Sequence, residues 1–203
     1  MKIPSGVGLI PSRMSYTALM QVGVLAFQGD VLEHIQALHT LGAEAVEVRS
    51  VADLESVQRL IIPGGESTVM SKFLDETGLR GAIIERSEKG NFPIYGTCAG
   101  AILLAKDVSS NGVPEKRVKP LMLMDIAIER NAYGRQTESF VDAVTKAIFI
   151  RAPKVLKFGP TVRVLSEHGG YPVAYIQGVL LASTFHPELA GGASFLHRLF
   201  LTL

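Results

Sequence analysis

The chain has 203 residues, of which 47% are hydrophobic and 19% charged, with a net charge of +1 and one cysteine. This length and composition suit a single α/β domain with a large core, and the near-neutral charge argues against a nucleic-acid partner. One cysteine cannot form an internal disulfide, and no apolar run reaches the ~18 residues that a membrane span needs. We therefore expect a cytoplasmic protein without a membrane partner.

The first 19 residues contain apolar stretches that Pro4 and Pro11 interrupt. They lack a continuous hydrophobic region and a small-residue cleavage site, so their pattern is not that of a signal peptide. We predict a flexible N-terminal extension over residues 1–19, followed by a single domain over residues 20–203.

Short apolar runs alternate with helical patterns through the first half of the chain. The runs predict strands covered on both faces, and the segments between them have apolar residues near helical spacing. Predicted strands cover residues 22–27, 43–49, 59–63 and 92–96. Predicted helices cover residues 31–42, 67–78 and 79–90. Strands joined by helical crossovers indicate a mostly parallel sheet with helices on both faces.

The second half has shorter connections and tight glycine turns, which favour some antiparallel strands. Predicted strands cover residues 121–130, 147–153, 161–168, 171–177 and 179–187, and a last helix lies within 191–203. The basic segment at 114–120 is interpreted as a solvated loop. The whole pattern predicts an α/β fold with a mostly parallel central sheet.

Cys98 lies where a predicted strand turns into a helix, within Gly96-Thr97-Cys98-Ala99-Gly100. This is the form glycine-x-nucleophile-x-glycine, in which a sharp turn exposes the nucleophile and the glycines let strand and helix approach closely. The alternative is a small buried cysteine in an apolar core.

A base for this thiol is predicted at the end of the last strand. A cysteine nucleophile needs a histidine to move its proton and a carboxylate to orient that histidine. His186 and Glu188 lie two residues apart, on the same side of an extended strand end, and meet both needs. The other histidines are interpreted as surface or satisfied core residues: His34, His39, His168 and His197.

The segment Pro63-Gly64-Gly65 ends another predicted strand and leaves backbone N–H groups accessible to a ligand. The oxyanion formed when Cys98 attacks a carbonyl needs two such donors, and the candidates are the amides of Gly65 and Ala99. The alternative is a plain strand–helix turn with Ser67 as the helix N-cap.

Six segments together resemble one protein family: LAFQGDVLEH, PGGEST, GTCAG, ERNAYGRQTESF, FIRAP and FHPEL. They are similar in order and content to the class I, triad-type glutamine amidotransferases, and within these to the glutaminase subunits of pyridoxal 5'-phosphate synthases. GTCAG and FHPE mark the wider class, whereas LAFQGD and RNAYGRQ mark the vitamin B6 branch.

The resemblance implies a flavodoxin-like fold of the class I amidotransferase type and a Cys98–His186–Glu188 triad that hydrolyses L-glutamine without a metal or organic cofactor. It implies a glutamine site formed by Gly65, Glu66, Ser67, Arg130, Ile150 and Arg151. Ammonia would pass to a partner, a (β/α)8-barrel synthase that makes pyridoxal phosphate. The connection at 141–146 is shorter than the family pattern, which bears on the surroundings of Arg151.

Two other functions stay open. The same triad would suit a γ-glutamyl hydrolase or peptidase that works without a partner. A short 141–146 connection would also fit a non-catalytic binding subunit with a damaged glutamine site.

Overall fold

The computed structural model describes residues 20–132, 140–141, 148–149, 152–190 and 194–203. The predicted extension over 1–19, the residues 142–146 of the short connection, and the predicted site residues Ile150 and Arg151 lie outside this part of the chain. Within it, no helix is both long enough and apolar enough to cross a membrane.

The strands are numbered in chain order. Their bounds are β1 (Gln21–Leu25), β2 (Glu44–Val48), β3 (Arg59–Ile62), β4 (Ile94–Thr97), β5 (Ala105–Ser110), β6 (Val113–Pro114), β7 (Met124–Arg130), β8 (Phe140–Val141), β9 (Ile148–Phe149), β10 (Lys154–Phe158), β11 (Arg163–His168), β12 (Tyr171–Gln177) and β13 (Leu180–Ser183). The helices are α1 (Val31–Thr40), α2 (Val51–Ser56), α3 (Ser67–Glu76), α4 (Leu79–Glu88), α5 (Ala99–Leu104) and α6 (Phe195–Phe200), with a 3-10 turn at Pro187–Ala190.

A seven-stranded sheet forms the centre of the molecule, in the order β11-β12-β13-β4-β3-β1-β2. The five strands from β13 to β2 are parallel, and β11 and β12 add an antiparallel edge. This confirms the predicted mostly parallel sheet with some antiparallel strands in the second half. β13 lies next to β4, so the last parallel strand is placed beside the strand that precedes Cys98.

Both faces of the sheet are covered. Leu60 and Ile62 pack with α2, α3, α4 and α5, whereas Ile61 between them packs with α1 and α6 on the other face. Side chains alternate across a strand, so a fully buried run such as Arg59–Ile62 indicates layers on both sides. The predicted placement of helices on both faces is confirmed.

A second, smaller sheet has the order β10-β7-β5-β6 and packs on the α2–α5 face through Ile126 and Ile128. Strands β5, β6, β8 and β10 and helix α2 were not predicted. The segment 114–120, predicted as a loop, begins at the end of β6. Helix α2 has a capping box that the sequence does display: Ser50 accepts from the Asp53 amide, and the Asp53 side chain accepts from the Ser50 amide.

Candidate active site

The turn at Cys98 is sharp and strained. Cys98 follows β4 and precedes α5 with φ of 45° and ψ of −99°, a left-handed backbone that side chains rarely adopt. A Cβ at Gly96 would lie 2.5 Å from the Gly100 carbonyl carbon, and one at Gly100 would lie 1.9 Å from the Ile62 oxygen. The two flanking glycines therefore allow the close strand–helix approach that the sequence pattern predicts.

Cys98 and His186 meet because their strands are neighbours. The Cys98 amide donates to the Ser183 carbonyl at 2.8 Å, which ties the end of β4 to the end of β13. His186 follows Ser183 closely, and its imidazole hydrogen-bonds the Cys98 thiol. Both residues are almost fully buried, at 6% and 5% exposure. The structure thus brings the predicted nucleophile and base into direct contact.

The Nδ1 atom of His186 faces two carboxylates. It lies 2.9 Å from Glu188 Oε1 and 2.9 Å from Asp30 Oδ2. Because Nδ1 is occupied by these carboxylates, Nε2 is the nitrogen available to Cys98. Glu188 lies in the 3-10 turn at Pro187–Ala190, which folds its side chain back onto the imidazole. The prediction that it lies on an extended strand end was wrong.

These contacts change how the groups ionise. Burial alone would lower the pKa of His186, but hydrogen bonds with Asp30, Cys98 and Glu188 raise it well above its ordinary value. Burial raises the pKa of Glu188, which the hydrogen bond with His186 opposes, and the same imidazole lowers the pKa of Asp30. The acceptors around the imidazole therefore favour the protonated form of His186, which pairs with the ionised Asp30 carboxylate.

Sequence analysis did not identify Asp30 as a site residue, because an aspartate just before a helix predicts an ordinary N-cap. It does occupy the N-cap position of α1, but its side chain makes no capping hydrogen bond and points to His186 instead. Asp30, His186 and Glu188 each place one ligand atom within 4.8 Å of the others, so they also meet a minimal geometric condition for a cation site.

A cleft of about 200 Å³ opens beside Cys98. This is smaller than the ~300–1,000 Å³ sites of drug-sized ligands, so it suits a small molecule such as an amino acid. Predicted site residues that line it are Gly65, Glu66, Ser67, Cys98, Arg130 and His186. Glu188 has a fully buried side chain and lies behind His186.

Arg130, at the end of β7, has two carboxylate partners. Its Nη2 lies 3.0 Å from Glu66 Oε1, and its Nη1 lies 2.7 Å from Glu115 Oε2. Its side chain is 8% exposed, whereas that of Glu66 is 41% exposed at the cleft. The guanidinium is therefore oriented by acidic neighbours, and Glu115, whose role was not predicted, is one of them.

Glu66, and not Ser67, is the N-cap of α3. Its Oε1 accepts from the Thr68 amide at 3.2 Å and from the Thr68 hydroxyl at 2.9 Å, and Ser67 is the first residue of the helix. The alternative interpretation of this turn, in which Ser67 is the helix N-cap, was therefore wrong about the capping residue. A longer side chain at the cap keeps its carboxylate at the cleft while it satisfies the helix terminus.

The candidate oxyanion donors lie at two strand–helix turns. Ala99 is the first residue of α5, so its amide has no acceptor within the helix. Gly65 has φ of 147°, where a side chain would be strained, and a Cβ there would lie 3.3 Å from Gln28 Nε2. Their role as donors stays a prediction.

The α/β fold is that of solved structures of glutamine amidotransferases. A solved structure described as a glutamine amidotransferase matches with a TM-score of 0.79 and 46% identity, over 89% of this chain and 97% of that one. PurLQS from Thermotoga maritima matches with a TM-score of 0.58 at 16% identity, over 90% of this chain and 96% of that one, which shows a shared fold.

The sequence comparisons are more specific. Residues 24–203 match the model of the SNO glutamine amidotransferase family, and the chain belongs to that family. The pyridoxal 5'-phosphate synthase subunit PdxT of Mycolicibacterium vanbaalenii is 49% identical, over 89% of this chain and 96% of the relative. PdxT of Thermus thermophilus is also 49% identical, over 90% of this chain and 96% of the relative.

Proposed function

We propose that this chain is the glutaminase subunit of a pyridoxal 5'-phosphate synthase, which hydrolyses L-glutamine to L-glutamate and delivers the ammonia to a partner synthase. The observation that carries the proposal is the Cys98 thiol, hydrogen-bonded to an imidazole whose Nδ1 is held by buried Glu188. Membership of the amidotransferase family and the similarity to PdxT proteins support the substrate and the pathway.

The reaction is acyl transfer to water. The Cys98 thiolate attacks the side-chain amide carbon of glutamine, and His186 protonates the departing ammonia. Water then hydrolyses the γ-glutamyl thioester, with His186 as the base that takes its proton. Glu188 keeps the imidazole oriented, and the amides of Gly65 and Ala99 donate to the oxyanion. No step requires a metal or an organic cofactor.

The charged ends of glutamine match the two charged groups at the cleft. Arg130 offers further N–H donors to the α-carboxylate in a bidentate geometry, and the exposed Glu66 carboxylate accepts from the α-ammonium. Ser67 contributes to the same cleft, and Ile150 and Arg151 complete the glutamine site by family resemblance.

The partner is a (β/α)8-barrel synthase. Ammonia released into bulk water would be protonated and lost to the reaction, so a glutaminase of this type passes it directly to the enzyme that uses it. We place the complex in the cytoplasm, since the chain has one cysteine and no possible internal disulfide.

The test is ammonia and glutamate release from L-glutamine by the purified chain, alone and across a titration of its synthase. We expect slow hydrolysis alone and much faster hydrolysis in the complex, mainly through kcat. A single oxyanion donor is worth ~10²–10³ in rate, so one that turns inward on docking, within Pro63-Gly64-Gly65, would account for the change.

Two outcomes would replace the proposal. Faster cleavage of γ-glutamyl peptides than of glutamine, unchanged by the synthase, would favour a hydrolase or peptidase without a partner. Absence of hydrolysis in the saturated complex would favour a non-catalytic subunit. Cys98→Ala serves as the control for contaminating glutaminase.

A further inference from the structure

A row of buried polar side chains extends from the candidate triad into the protein, behind Glu188. His34 on α1 and His197 on α6 are both 0% exposed, and His34 Nδ1 lies 2.9 Å from His197 Nε2. His197 Nδ1 lies 2.9 Å from the Ser194 hydroxyl. These histidines are not surface residues, and they occupy one face of the sheet between α1 and α6.

The row ends at the second oxygen of the Glu188 carboxylate. Among the described residues, Glu188 Oε2 is buried without a hydrogen-bond partner, and His34 Nε2 lies 3.5 Å from it. The same His34 nitrogen lies 3.2 Å from the Thr97 hydroxyl, one residue before Cys98. A buried carboxylate oxygen is unfavourable unless a hydrogen-bond donor faces it. Whether Glu188 Oε2 has such a donor therefore depends on which nitrogen of His34 carries the proton.

The neighbouring contacts favour one tautomer of each histidine. The His197 amide already donates to the Ser194 hydroxyl oxygen, which leaves the Ser194 proton free to be donated to His197 Nδ1. His197 Nε2–H then donates to His34 Nδ1, and His34 carries its proton on Nε2, toward Thr97 and Glu188. The opposite tautomer of His34 would turn a lone pair toward the carboxylate.

We propose that His34 is a positioning residue for the reaction, whose Nε2–H faces Glu188 Oε2 and fixes the carboxylate that orients His186. The inference rests on the proposed function and deepens it, because it names a residue that acts through the triad without touching substrate. His197 and Ser194 set the tautomer of His34.

Ionisation of the two histidines agrees with this arrangement. Burial lowers the pKa of His34 well below its ordinary value, reinforced by the nearby His197 and His186, and burial lowers the pKa of His197 to about 4. Both rings are therefore neutral near pH 7, so each has one donor and one acceptor nitrogen, as the row requires.

The first test reads the tautomer in the unaltered protein. Two-bond proton–nitrogen NMR spectra of the chain labelled with ¹⁵N-histidine distinguish a protonated Nε2 from a protonated Nδ1, and His34→Gln assigns the signal. With five histidines the spectrum is simple. We expect His34 in the Nε2–H form, and a protonated Nδ1 would overturn the proposal whatever the enzyme's substrate is.

The second test compares two variants in the assembled synthase complex. His34→Gln keeps a donor near the Nε2 position, whereas His34→Asn keeps a group near Nδ1 and loses that donor. We expect His34→Asn to lower kcat by about tenfold to a hundredfold, the usual effect of removing an outer partner of a functional side chain, with KM little changed. His34→Gln should retain most of kcat, and exposed His39→Gln on the same helix is the matched control.

A third measurement separates this proposal from the proposed function. Cys98 is the single cysteine, so the rate of alkylation by iodoacetamide reports on its thiolate alone. We expect slower alkylation in folded His34→Asn than in His34→Gln, even if glutamine is not the substrate. Equal kcat and equal alkylation rates in the two variants, with only their melting temperatures lowered, would make His34 a structural residue and overturn the proposal.

Discussion

The two walls of the cleft differ in how their functional groups are held. On the inner wall, the Glu188 side chain is fully buried and only 6% of the His186 side chain is exposed. On the outer wall, Glu66 is 41% exposed and forms an ion pair with Arg130 at the cleft. The inner wall therefore fixes the chemistry, and the outer wall has contacts that a ligand is able to exchange.

The difference has a physical basis. Hydrogen bonds to buried charged groups are stronger than those at the surface, because water does not compete for them. A misplaced group on the inner wall changes the reacting geometry, whereas a lost contact on the outer wall mainly weakens binding. Substitutions on the two walls should therefore separate into effects on kcat and effects on KM.

The largest effect is expected at the nucleophile. Cys98→Ala should abolish glutamine hydrolysis in the synthase complex, because the oxyanion donors cannot replace a missing thiolate. Alanine fits the same turn, so the fold should remain, which circular dichroism would check. Turnover of purified Cys98→Ala at a rate comparable to the unaltered chain would show that Cys98 is not the nucleophile.

The second prediction compares the two residues of the inner wall, His186 and Glu188. His186→Asn removes the proton carrier and should lower kcat by about 10⁴-fold or more. Glu188→Gln should lose less, about 10²-fold, since Asp30 Oδ2 remains 2.9 Å from His186 Nδ1 and keeps the imidazole in place. Steady-state kinetics of the complexes would measure both.

The double variant Asp30→Asn/Glu188→Gln sharpens this comparison. Without either carboxylate the tautomer of His186 is no longer fixed, and kcat should fall close to that of His186→Asn. If Glu188→Gln alone were as inactive as His186→Asn, Asp30 would not support the imidazole. Equal and negligible losses in His186→Asn and Glu188→Gln would mean that this pair is not catalytic.

The third prediction concerns the outer wall. Arg130→Ala and Glu66→Ala should raise the KM for glutamine by about tenfold to a hundredfold, the loss expected for one charge-assisted hydrogen bond, with a smaller change in kcat. Ammonia supplied to the complex should bypass both defects. A variant that also loses ammonia-dependent synthesis would instead be defective in assembly.

The smallest effect is expected on stability at Glu115, which supports Arg130 from behind the cleft. Hydrogen bonds from Arg117, together with the charge of Arg130, lower the pKa of Glu115 from 4.5 to about 2. A carboxyl group whose pKa is lower in the folded protein stabilises it above about pH 4.5 and loses that effect as the pH falls toward 2.

Glu115→Gln should therefore reduce the free energy of unfolding by about 1 kcal/mol at pH 7 and by nearly nothing at pH 2. Urea unfolding at several pH values would measure this, with Glu85→Gln, in an exposed helical pair with Lys89, as the control. A stability difference that does not depend on pH would mean that the ionised pair with the arginines is not its cause.

The sequence predicts the sheet and the positions of Cys98 and His186 because these depend on local patterns. Apolar runs and the glycines that follow them show where each parallel strand ends, and a site of this fold lies at those ends. Strands β5, β6 and β10 were missed because they consist mostly of exposed or half-buried residues, so they lack the apolar run of a buried strand.

The supporting residues of the site were harder to predict. Asp30 and His34 contact residues far away in the chain, and Glu115 contacts Arg130 across 15 positions. Each of the three has an ordinary local explanation as a cap, a core residue or a loop charge. At Ser67 a local rule misled, because serine is a common helix N-cap. In the structure Glu66 caps α3 instead and keeps its carboxylate at the cleft.

The tie between Cys98 and Ser183 implies that the spacing of nucleophile and base is set by strand register. Thr97 pairs with Ser183, and a slip of one residue would move one strand by about 3.3 Å and turn its side chains to the opposite face. The distance between nucleophile and base therefore does not depend on the length of the chain between β4 and β13. Changes of length within that stretch are free to alter ligand range or partner contacts while the reacting atoms keep their separation.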